Sequence, residues 1–126
     1  MGNAMLPHLM LFAVLVLSVY SQLMMKSRAL VHASVSDSSS GYFHYLVGMA
    51  MDWRVLSAAG ATFLASVCWL LALQRLDLGY AFPFMALSFV LIPVASNLCF
   101  GEPLSMAKLA GLSFVFLGVT VSALAR

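Results

Sequence analysis

Charge is what this sequence has least of. Among its 126 residues, six are Lys or Arg and four are Asp or Glu, so only 8% of the chain is charged. A soluble domain carries about 25%, and so sparse a surface excludes an ordinary water-soluble fold. Disorder is excluded by the opposite criterion. It requires low hydrophobicity and high charge, whereas 63% of this chain is hydrophobic and its mean hydropathy is +1.04. The net charge of +2 is scattered and leaves no footprint for nucleic acid. Cysteine is scarce as well. Cys68 and Cys99 offer neither metal-ligand spacing nor a disulfide framework, and read as small apolar packing residues. His8, His32 and His44 stand in no ligand pattern such as HExxH, so no metal or other cofactor is expected. No acid–base pair or activated nucleophile has a spacing suited to hydrolysis or group transfer, which argues against an enzyme.

What the chain does have is long uncharged runs, at 1–25, 55–74, 78–101 and 109–125. A helix of roughly 20 apolar residues crosses a hydrocarbon core of about 30 Å, and a helix satisfies its own backbone there. The expectation is an all-α integral membrane protein: one domain over 1–126, a four-transmembrane-helix bundle with spans near 7–25, 54–74, 80–100 and 105–125. Four such spans leave no room for a separate soluble domain. The first run has no Lys or Arg before it and exceeds a typical signal-peptide core, so it reads as a retained span. Residues 27–53 form a linker and an interfacial segment. The stretch 34–41 (SVSDSSSG) is polar and of low complexity. Tyr42, Phe43, Tyr45 and Trp53 suit the headgroup level. Composition leaves open whether this part is a surface helix or an extension of the second span.

Polar groups inside the spans are few and informative. Ser18, Gln22 and Lys26 recur every four residues on one helix face. A glutamine facing lipid is costly, so Gln22 should face protein or a watery cavity. The same face could instead hydrogen-bond a neighbouring helix, with Lys26 snorkelling to the interface. Ser57, Ala61 and Ala65 form a small-residue seam on the second span. Pro83 and Pro93 should kink the third span, where Ser88 and Asn97 are noted as polar groups. Trp69, Tyr80 and Phe82 either line a cavity or pack as interfacial aromatics. Glu102 either complements the positive N-terminus of the fourth span, with Pro103 in its first turn, or meets a substrate amine or couples transport. Gly111, Gly118 and Ser122 form a small-residue stripe suited to close helix packing, in a dimer or within the bundle. Lys26, Arg28, Arg54 and Lys108 lie on the side of the first and third connections, against Arg75 and Arg126 on the other. That count places those connections in the cytoplasm and both termini outside.

Several strings carry a family resemblance. They are 17–26 (LSVYSQLMMK), 51–54 (MDWR), 66–74 (SVCWLLALQ), 79–83 (GYAFP), 87–90 (LSFV), 101–105 (GEPLS) and 108–111 (KLAG). In order and spacing they resemble the small multidrug resistance branch of the drug/metabolite transporter superfamily. Within it they are most similar to the small subunits of the 4-amino-4-deoxy-L-arabinose-phosphoundecaprenol flippase. The resemblance implies a multi-pass protein of the bacterial inner membrane that translocates a polyprenyl-phosphate-linked sugar, working as a homodimer or as a heterodimer with a related small subunit. It implies a substrate face of Ser18, Gln22 and Lys26, with Lys26 or Arg54 at the phosphate. Trp69, Phe82 and Ser88 would form the opposite wall, with Glu102 near by. Two departures matter. The exporters' membrane-embedded glutamate corresponds to Ser18, so cation exchange lacks its counter-charge. Their glycine-rich kink falls at 87–89, which has no glycine. A small-molecule or cation exporter, or a non-transporting membrane subunit, stands as the alternative.

Overall fold

In the computed structural model, which describes residues 5–33 and 41–125, every long uncharged run is helical over most of its described length. The helices are α1 (Met5–Ala33), α2 (Gly41–Met51), α3 (Trp53–Leu73), α4 (Leu78–Ala86), α5 (Ser88–Phe100) and α6 (Met106–Leu124). No strand occurs among the described residues. Among the described residues, four units are long and apolar enough to cross a membrane: α1, α3, the α4–α5 pair and α6. The polar run at 34–40 lies outside the described residues.

α1 continues past the expected end of the first span at residue 25, to Ala33. Lys26 and Arg28 are good helix formers, and Asp52 gives the extra turns an anchor. Arg28 donates to Asp52 Oδ2 through Nε and Nη2, each at 2.5 Å, and His32 Nε2 lies 3.1 Å from the same oxygen. The other oxygen, Oδ1, accepts the backbone N–H of Arg54 at 2.9 Å and so caps α3. One carboxylate thereby starts α3 and ties down the end of α1. α2 is a helix of its own between them, with Tyr42, Phe43 and Leu46 exposed. The interfacial segment is thus not an extension of the second span.

The core of the bundle is the antiparallel α1–α3 pair. α1 buries Pro7, Leu11, Val14 and Ser21; α3 buries Val55, Ala58, Ala65 and Ala72. Ala58, Ala65 and Ala72 repeat every seven residues, a period that keeps a left-handed seam against its partner along the whole contact. The expected seam through Ser57 and Ala61 steps by four and drifts about 40° per step, which is why it falls to one side, with both residues half-buried. Lipid is as apolar as leucine, so close packing and hydrogen bonds hold the pair. Small alanines let the backbones approach. The Ser21 hydroxyl donates to the Ala58 carbonyl at 3.0 Å and lies 2.6 Å from the Thr62 hydroxyl, and Tyr20 Oη lies 3.1 Å from Ser57 Oγ. Such bonds contribute about 0.6 kcal/mol each on average.

The third crossing is broken at Leu87, between Pro83 and Pro93 and at neither of them. The Leu87 N–H bonds the Phe84 carbonyl at 3.2 Å, a tightened turn, and the Ser88 hydroxyl donates to the Met85 carbonyl at 2.6 Å. Each proline lacks the N–H its own turn needs, and the segment between them takes up the misfit. α5 ends at Gly101, whose φ of 66° lies in the left-handed region that favours glycine. Ser105 caps α6 by accepting the Lys108 N–H at 3.3 Å. Pro103 consequently lies in the connection and not in the first turn of the fourth span. α6 has no buried residue.

Candidate functional site

The crossings run so that Lys26 of α1 meets Ser96 of α5, while His8 meets Tyr80 at the opposite end. The α5–α6 connection returns Glu102 to the same end as Lys26. There the Lys26 ammonium pairs with Glu102 Oε1 and donates to the Ser96 hydroxyl at 3.3 Å. Ser96, itself buried, donates to Glu102 Oε2 at 2.5 Å. Asn97 Nδ2 donates to the backbone carbonyl of Glu102, which pins the turn. The ammonium also lies 5.5 Å from the centre of the Phe100 ring, within cation–π range. Bonds from Lys26, then from Ser96, hold the Glu102 carboxyl below the usual carboxylate range, against a smaller opposing effect of desolvation. Glu102 therefore faces the ammonium of α1, and the N-terminal cap of α6 belongs to Ser105.

This pair stands on the wall of a cavity of about 510 Å³ between α1, α5 and α6. Gln22, Lys108, Pro93 and Gly111 are further parts of its lining. Gln22 is exposed and borders this charged pocket. The cavity offers two ammonium groups, one carboxylate, an amide and a hydroxyl against apolar walls. That set suits a ligand with a charged, hydrogen-bonding head and an apolar remainder.

A second cavity, of about 470 Å³, lies between α1, α3 and α4. Ser18, Thr62, Ser66, Trp69 and Phe82 are on its wall, and the Trp69 and Phe82 rings meet edge-on with centroids 6.2 Å apart. The Ser18–Gln22–Lys26 series is therefore divided between two cavities. Each step of four residues turns about 40° round a helix, and two steps carry the series from the α3 side to the α5–α6 side. Ser88 lines neither cavity; its hydroxyl serves the break in the third crossing. Arg54 is exposed, and its backbone N–H serves the cap of α3. Gly118 and Ser122 border a third hollow against Gly79, Phe82 and Pro83. A Cβ added at Gly111 or Gly118 would meet nothing within 4 Å, so neither glycine is required by packing inside the chain.

Sequence reasoning passed over Ser96, and counted Lys108 only for orientation and resemblance, not as part of a site. Ser96 had a signal, a hydroxyl beside Asn97 in an uncharged span, five and six residues before a lone glutamate. Lys108 sits in the first turn of α6, where a cation opposes the helix dipole.

No family model and no solved structure matches the chain. Curated relatives do. A probable 4-amino-4-deoxy-L-arabinose-phosphoundecaprenol flippase subunit ArnE of Pseudomonas aeruginosa is 44% identical over 69 residues, 55% of this chain. A probable subunit ArnF of the same flippase, from Pseudomonas fluorescens, is 40% identical over 67 residues, 52% of this chain. The matched segments span 57% and 49% of these two relatives. A probable ArnE of Sodalis glossinidius is 32% identical over 113 residues, covering 89% of this chain and 92% of the relative. Four apolar crossings and these relatives make the chain a multi-pass protein of the bacterial inner membrane, and it belongs to the family of 4-amino-4-deoxy-L-arabinose-phosphoundecaprenol flippase subunits.

Proposed function

We propose that the chain is a subunit of a flippase that carries a polyprenyl-phosphate-linked sugar across the inner membrane. The single observation that carries this reading is the Lys26–Gln22–Glu102 cavity, a charged pocket with apolar walls at one end of four crossings. The lipid tail remains in hydrocarbon, the phosphate meets a cation, and the sugar meets hydrogen-bonding groups. Lys26 supplies a point charge to the phosphate, and Gln22 both donates and accepts for sugar hydroxyls. By the charge count the loaded end is cytoplasmic. A cation exporter fits less well, because the span position of its embedded carboxylate is Ser18. The working unit is a dimer with a second copy or a related small subunit. Support comes from α6, which buries nothing within the chain, and from the inverted pairing that such small transporters need for alternating access.

Lipid mass spectrometry of the purified protein tests the reading: a polyprenyl-phosphate sugar should co-purify. Gln22→Leu and Lys26→Met should each reduce lipid-sugar transport in proteoliposomes by about tenfold or more, at near-normal expression, since leucine is well tolerated at membrane depth. Wild-type rates in both variants would remove this cavity from the transport path.

A further inference from the structure

We infer that Lys26 and Glu102 act as a two-ended receptor for a zwitterionic headgroup, exchanging each other for the ligand's phosphate and its protonated amine. The inference rests on the flippase reading above and extends it to the residues that select the ligand's amine.

The ion pair is built to be reached. Its side chains keep 35% and 44% of their exposure and stand on the wall of the 510 Å³ cavity. The charged groups facing that space are Lys26, Glu102 and Lys108. A ligand bringing only an anion has a poor route to Lys26. It must displace Glu102, and it leaves a carboxylate without its ammonium beside a second negative charge. Water reaches a pair this exposed and moderates the cost, but the released carboxylate still faces the ligand's negative charge across the cavity. A ligand bringing only a cation meets the converse problem at Lys26. A ligand carrying both charges replaces each half by an equivalent one: the Lys26 ammonium passes to the phosphate, and the Glu102 carboxylate passes to the amine.

The surroundings suit that exchange. Asn97 holds the Glu102 backbone, and Gly101 fixes the turn before it. The carboxylate can thus swing on its side-chain torsions while its attachment stays in place. Ser96 keeps a hydrogen bond to Oε2, so Glu102 remains partly satisfied while it changes cations. Lys108, exposed on the same cavity, adds positive charge that draws the phosphate in. The relatives' names describe a lipid with both features, a phospho group and a 4-amino sugar.

The test uses the full chain in lipid nanodiscs and two probes. One is a short-chain polyprenyl phosphate bearing 4-amino-4-deoxyarabinose. The other is its N-acetyl derivative, which has the same phosphate but a neutral amide. Wild type should bind the amine about tenfold more tightly or better, and the preference should disappear as the ligand amine loses its proton. Glu102→Gln should abolish the preference, weakening the amine lipid and strengthening the N-acetyl lipid by about threefold or more, because Lys26 is then unoccupied and no carboxylate is left stranded. Glu102→Asp should restore a preference. Equal binding of both probes by wild type, or equal weakening of both by Glu102→Gln with no recovery in Glu102→Asp, overturns the receptor role while leaving the flippase reading in place. Failure of wild type to bind either probe overturns the flippase reading, and this inference with it.

Discussion

Asp52 shows how much of a membrane bundle one carboxylate can organise. It caps α3 and holds Arg28 and His32 of α1. The bond from the Arg54 N–H is the main cause of its acidity, helped by His32 and Arg28 and opposed by desolvation, and its carboxyl is held down to about 2. A depressed carboxylate adds stability that is fully present above the ordinary value of 3.8 and is lost as pH falls through about 2. Thermal unfolding in detergent should therefore show Asp52→Asn less stable than wild type at neutral pH, with the gap closing between about pH 4 and pH 2. A gap that stays constant across that range would assign its effect to something other than charge. At this scale the sequence was partly legible. Gln22 and Lys26 stood out because polar groups in apolar spans are conspicuous. The partner of Lys26 did not, since seventy-six positions separate it from Glu102 and only the crossing directions bring them together. Ser18 shared a spacing with Gln22 and Lys26, yet a helix has 3.6 residues per turn, so equal steps of four do not stay on one wall.

At the scale of elements, the α1–α3 seam sets the geometry on which the rest depends. Ala58 is 0% exposed, and its carbonyl accepts the Ser21 hydroxyl. Ala58→Leu should drive the two helices apart and destabilise the protein by about 1–3 kcal/mol, the usual range for overpacking, read as a lowered thermal midpoint. Ala61→Leu, one turn on but half-buried, should be milder; equal losses would mean that the seam does not run through Ala58. The spans themselves were readable from charge alone, because uncharged runs of membrane length have few other fates. The boundaries were less so. α1 outruns its apolar stretch because its last turns are held by Asp52, a partner 20 and 24 positions from the His32 and Arg28 it binds. The break at Leu87 was also hidden, since two prolines announce strain in the third crossing without saying where it is taken up.

The whole molecule is lopsided. α1, α3 and α4 share the small core of Leu11, Ala72 and Ala81, whereas α6 buries no side chain. Gly111 borders the charged cavity and Gly118 the hollow against α4, and a Cβ at either would meet nothing within 4 Å, so neither hollow is filled from within the chain and each is open to a second one. Gly118→Leu should weaken self-association, or association with a related small subunit, by about tenfold or more. Size measurement and crosslinking in detergent check it, and an unchanged dimer would confine the stripe to the interior of one chain. The small-residue stripe of Gly111, Gly118 and Ser122 was legible as a pattern, but which surface it serves depends on how four crossings wrap. The exposure of α6 has a consequence for the protein's life in the cell. Newly made, a chain whose last crossing rests on so little resembles the partly folded species that proteases clear, and modest changes in stability alter abundance several-fold. Meeting a second chain would end that vulnerability. In the proposed dimer, the level of the subunit would then follow the supply of the second chain more closely than its own rate of synthesis.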